Sequence, residues 1–146
     1  MVEGTKIVNF SLLLNQILFM EIIQILGDKK QPSIFFDHIN GILEIKGRSI
    51  VENTVEFYIP LLRWMDEYIA SDPVSTTVNF HFEYLNTSSQ KFVLEIFKKI
   101  EKLMSKSPNV TVNWYFDEDD EDMEECGEDF QEVVKIPMNM IELTEE

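Results

Sequence analysis

One cysteine, two histidines and twelve basic residues are all that 146 positions hold of these types, and each scarcity removes a class of function. A lone Cys126 cannot build a disulfide framework. The acids around it raise a thiol pKa, so a thiolate nucleophile is disfavoured and a reducing cytoplasm fits. Lys plus Arg number 12 against 27 Asp plus Glu, a net charge of −15 that repels nucleic-acid backbones and anionic lipid headgroups. Neither His38 nor His81 has a Ser or Cys motif beside it, so no enzyme and no cofactor is expected. No internal repeat and no Pro/Gly/Ser-rich linker divides the chain, which argues for one domain. A long apolar run is missing too. Residues 7–26 are interrupted by Asn9, Asn15, Gln16, Glu21 and Gln24 and lack a small-residue cleavage site, which argues against a span or a secretion signal. They read instead as an amphipathic helix over 9–19 followed by a strand. Residues 1–19 are thus an N-terminal extension, either helical or upstream of a natural start at Met20, and 20–146 are the domain.

Apolar and acidic side chains are plentiful. Hydrophobic residues make up 45% and aromatic ones 12%, which assigns most of the eleven Phe to a core. Residues 21–26 (EIIQIL) read as a strand ending at the Gly27-Asp28 turn pair. Residues 33–37 and 42–47 read as a hairpin about 38–41, with Asn40 and Gly41 supplying positive φ. Over 52–70, Val55, Tyr58, Leu61, Leu62, Met65 and Ile69 recur at helical spacing; Pro60 either kinks this helix or moves its start to Ile59. Residues 77–85 alternate Val78, Phe80, Phe82 and Tyr84 toward the core as a strand. Over 89–105, Phe92, Val93, Ile96, Phe97, Ile100, Leu103 and Met104 share one helical face. Residues 110–116 alternate again. The acidic run after them reads as a loop or short helix, and 133–138 (VVKIPM) as an edge strand, since Pro137 cannot donate to a ladder. Trp64 and Trp114 fall inside regular elements and belong to the core or its rim. The strand, helix, strand order over 77–116 is a parallel βαβ unit. The fold class is α/β (α+β), a mixed β-sheet packed by two main helices.

The junction at Asn86, Thr87, Ser88 and Ser89 is the informative spot. A strand ends there and a helix begins, so free amides and the helix dipole favour negative charge. One of the four serves as the N-cap; four consecutive capping residues exceed what one helix needs and leave hydroxyls for modification. The run 117–129 holds ten carboxylates. Asp117, Asp119, Glu121 and Glu128 match positions one, three, five and twelve of a calcium loop, but Asp122 stands where that loop needs Gly, so a solvated loop or a partner-facing patch is the better reading.

From Met20 to Leu143 the chain resembles the SiaC family of bacterial regulatory phosphoproteins, through NGILEIKGRSIVEN (40–53), FYIPLLRWMDEYI (57–69), FEYLNTSSQK (82–91) and VTVNWYFDEDDED (110–122). The resemblance implies a single STAS-like domain. It also implies a non-enzymatic switch in which a serine/threonine kinase phosphorylates the Thr of LNTSS and a PP2C-type phosphatase reverses this. The unmodified form would bind and activate a diguanylate cyclase, raising cyclic di-GMP and favouring biofilm. The acceptor implied here is Thr87, with Asn86, Ser88 and Ser89 as its surroundings and the retained Glu52 and Asn53 as a partner surface. The family's SYPEN reads SIVEN at 49–53, and its PFE-like ending reads Pro137-Met138-Asn139, which alters the fine shape of that surface. The rival expectation is a phosphorylation-independent scaffold of the same fold, with a homodimer as a candidate assembly.

Overall fold

The computed structural model describes residues 20–145. Six strands among them form one sheet in chain order: β1 (Ile23–Ile25), β2 (Ser33–Asp37), β3 (Ile42–Ser49), β4 (Thr76–Leu85), β5 (Val110–Asp117) and β6 (Asn139–Leu143). β1, β2 and β3 pair antiparallel, whereas β3 to β6 are parallel throughout. Each parallel step needs a crossover, supplied by α1 (Thr54–Ala70), α2 (Thr87–Lys106) and α3 (Glu121–Val134). Right-handed crossovers that all step the same way along a sheet place their helices on one face. α1 packs on α2 and α2 on α3, and the strands bury alternate residues beneath them. The core centres on Phe80, Phe97, Trp114 and Phe130, with ring centroids 4.8 Å apart for Phe80–Phe97 and 5.0 Å for Phe97–Phe130. Trp64 is also buried and its indole donates to Glu21 O at 2.7 Å.

Several expectations need correction. Of the two readings of the acidic run, loop or short helix, the helix holds: α3 has 14 residues, so three helices rather than two cover the sheet, and residues 133–134 belong to it rather than to a strand. The last strand begins only at Asn139, beyond Pro137, which lies in the connection. α1 runs unbroken through Pro60, whose side chain is on the solvent side, and it starts at Thr54. Val55 is 59% exposed, and Trp64 and Tyr68 complete the buried face instead. Only Gly41 of the hairpin turn has positive φ; Asn40 is held by the Asp37 carboxylate, which accepts from its side-chain amide at 2.7 Å. The first strand is three residues long, and the helix expected over 9–19 lies outside the described residues.

The correction that matters most for function is a β-bulge. Gly47 pairs with Phe82 but Arg48 pairs with Tyr84, leaving Glu83 as an extra residue in β4. Val78, Phe80 and Phe82 point inward before it; Leu85 does so after it, while Tyr84 is 49% exposed under the Arg48 guanidinium. The bulge thus re-aims the strand immediately before Asn86.

Candidate functional site

The carboxyl ends of β3, β4 and β5 and the N-termini of all three helices meet along one rim, because parallel strands with crossover helices alternate in direction. Each helix is capped there by its own side chain: Asn53 accepts from Glu56 N at 3.1 Å, Asn86 from Ser89 N at 2.9 Å and Asp120 from Met123 N at 3.1 Å. Asn86 is therefore the cap among the four junction residues, and α2 begins at Thr87 rather than near Ser89. Its own amide donates to Ser49 O at 3.0 Å, fixing the junction to the end of β3.

The three hydroxyls that follow have different surroundings. Ser89 is fully buried and accepts from Ser49 Oγ at 2.8 Å; Ser49 in turn lies 2.5 Å from the Tyr58 hydroxyl. Ser88 is exposed, with its hydroxyl donating to Asn86 Oδ1 at 3.3 Å. Thr87 is exposed at the first helical position, and among the described residues its hydroxyl has no hydrogen-bond partner. The amides of Thr87 and Ser88 are the ones left over at this helix end, since Ser89 N and Gln90 N both donate to Asn86. One turn further on, Lys91 is exposed on the same side of α2 as Thr87. The site is thus a solvent-facing hydroxyl beside two free amides, the positive end of a 20-residue helix and one cation.

The other residues singled out in the sequence lie on or near this rim. Asn53 is the cap of α1, with its side chain also donating to Glu56 at 3.1 Å. Glu52 is exposed and pairs with Lys30 at 3.3 Å. The calcium-loop count does not survive: Glu121 to Glu128 are helical and Asp120 is committed to capping. His81 lies on the open face of the sheet, 3.0 Å from Asp117, and His38 lies in the β2–β3 turn with its ring edge-on to Trp64. Cys126 is half-buried, and burial first, then Asp129 and Asp120, push its thiol up to about 11. The buried Ser49 was missed as part of the site; its signal was a serine in the inward register of Leu43 and Ile45, on the face of β3 opposite Glu44, Lys46 and Arg48. No helix among the described residues is long and apolar enough to cross a membrane.

Comparison with known proteins identifies the fold and the family. An uncharacterized protein of Pseudomonas aeruginosa is 28% identical over 118 residues, covering 81% of this chain and 94% of its own length. The fold matches SiaC of Pseudomonas aeruginosa with a TM-score of 0.74 at 24% identity, over 86% of this chain and all of that one. It also matches a structure of the diguanylate cyclase SiaD in complex with its activator SiaC from the same organism, with a TM-score of 0.78 at 26% identity, over 83% of this chain and 99% of that one. The model of the SiaC family of regulatory phosphoproteins matches residues 25–143, most of the sequence, and the chain belongs to that family.

Proposed function

We propose that this chain is the regulatory partner of a diguanylate cyclase and that phosphorylation of Thr87 controls the partnership. It acts in the cytoplasm, without chemistry of its own. A serine/threonine kinase adds the phosphate, a PP2C-type phosphatase removes it, and the unmodified form is the activator. The observation that carries this reading is the exposed Thr87 hydroxyl at the first position of α2, without a hydrogen-bond partner among the described residues. The complex of SiaD with its activator SiaC supports the choice of partner.

Phosphorylation adds a charge of about −1.5 to −2. The fold accommodates it, since the free amides, the helix dipole and Lys91 all favour an anion there. The chain already carries −15, so the long-range field changes little. The effect is local: a partner packed over a neutral hydroxyl now has to desolvate a dianion.

The test pairs the purified chain with a diguanylate cyclase from the same genome and reads cyclic di-GMP formation and complex formation. Thr87→Ala should activate like the unmodified chain, and Thr87→Glu or the phosphorylated protein should bind at least about tenfold more weakly. Mass spectrometry of the native protein should find the phosphate on the peptide containing Thr87. Equal binding by Thr87→Glu, with no phosphate under any growth condition, would leave the phosphorylation-independent scaffold in its place.

A further inference from the structure

A groove runs between α2 and α3, a cavity of about 360 Å³ beginning one turn beyond Thr87 at Gln90. Its floor is apolar: Leu94 from α2, then Cys126 and Phe130 from α3. Val133 closes one end and is 63% exposed, an unusual position for a large aliphatic residue. One wall carries a single sign of charge. Asp122, Glu125 and Asp129 are spaced three and four apart, which stacks them along one side of α3, while the two residues that α2 lends to the lining, Gln90 and Leu94, are uncharged. From Asp122 to Val133 the groove follows α3 for about 16 Å, three helical turns.

We infer that this groove is a docking site for an amphipathic helix of a partner protein, one whose apolar face is bordered by Lys or Arg. Three turns of apolar floor match the i, i+3/i+4, i+7 anchors of a helix laid in a groove. The carboxylate wall selects basic borders and steers their approach. Other occupants fit less well. An anionic small molecule meets three carboxylates and, among the described residues of the lining, no cation. A second copy brings its own acidic wall and its own charge of −15. An extended strand finds no sheet edge, since both walls are helical. The surface is separate from the hydroxyl of Thr87, so the inference holds whether or not that residue is modified.

The experiment titrates the full chain, methyl-labelled for NMR, with a synthetic helical peptide carrying Leu along one face and Lys along both borders of that face. Saturable shifts at the Leu94 and Val133 methyls are expected at physiological salt, and none with the peptide in which Glu replaces Lys. Val133→Lys, at an exposed position that leaves the core untouched, should weaken binding at least about tenfold. Glu67→Lys on the exposed side of α1, away from α3, alters net charge by more and should change binding by less than about twofold. If Glu67→Lys weakens binding as much as Val133→Lys, or if shifts spread over the whole acidic surface, the attraction is diffuse and the inference is wrong. It is equally wrong if the groove methyls shift with protein concentration in the absence of peptide, because the occupant is then a second copy.

Discussion

Tyr58, Ser49 and Ser89 form a buried chain of hydroxyls that ties α1, the end of β3 and the first turn of α2 together, with Ser89 two residues from the exposed Thr87. Ser49 gives its proton to Ser89, so Tyr58 must donate to Ser49. Burial raises the Tyr58 phenol above its ordinary value, more than its bonds to Ser49 and Ser89 lower it. The Tyr68 phenol, bonded to Thr76 at 2.6 Å, is raised for the same first reason. A phenol raised on folding stabilises the native state fully below its unfolded pKa of about 10 and loses that contribution as pH climbs through the folded value. Stability should therefore fall in alkali. Tyr58→Phe should cost about 1 kcal/mol at neutral pH for the lost hydrogen bond. It should also flatten part of the alkaline decline, with Tyr68 supplying the remainder. Urea denaturation from about pH 7 to 11 checks both; an unchanged alkaline slope in the variant would mean that Tyr58 is not held neutral by the fold.

α3 shows how a packing constraint can outweigh helix propensity. Gly127 lies in the middle of this helix, where Ala is ordinarily better by about 1 kcal/mol. A Cβ there would sit 2.5 Å from the Trp114 ring, which is fully buried, bonded through its indole to Met123 O at 3.0 Å and packed at tilted angles among Phe80, Phe82, Phe97 and Phe130, so it has nowhere to go. Overpacking of this kind costs about 1–3 kcal/mol, so Gly127→Ala should lower thermal stability despite its better propensity. A higher midpoint by calorimetry would show that α3 can lift away from β5. The same helix marks where the sequence was hardest to read. β2, β3, β5 and α2 have one buried and one wet face, and that arrangement writes itself as alternation or as three-and-four spacing. α3 buries only Met123, Gly127, Phe130 and Val134, at spacings of four, three and four; the signal was present but thin, with a glycine as one of its four marks and ten carboxylates around it. The bulge at Glu83 left no trace in a period-two pattern, so Tyr84 was read as inward. At the site, the cap and the hydroxyl stretch were legible from residue types. Which hydroxyl is buried was not, because it depends on a serine 40 positions away.

Charge is the property that belongs to the molecule as a whole, and its effect on stability depends on where along α3 it falls. Ten of the 27 carboxylates occupy residues 117–129. Those of the first turn, Glu121, Asp122 and Glu124, lie at the positive end of the helix dipole and are favoured there. Glu132 lies in the last turn, which holds no basic residue, so the dipole and the net charge of −15 both act against it. Glu121→Lys and Glu132→Lys change the net charge equally. If global repulsion governed stability, both would stabilise alike. With the dipole included, Glu132→Lys should gain about 0.3–1 kcal/mol, while Glu121→Lys should gain nothing or lose a similar amount. Raising salt from about 0.01 M to 0.15 M shortens the screening length from about 30 Å to about 8 Å, so the parent chain should itself become more stable. The gap between the two variants should shrink less, since each acts within one helical turn. Denaturation midpoints for the three proteins at both salt concentrations separate the two contributions, and equal stabilisation by both lysines would mean that repulsion across the molecule, not the local dipole, sets the tolerance of this acidic surface.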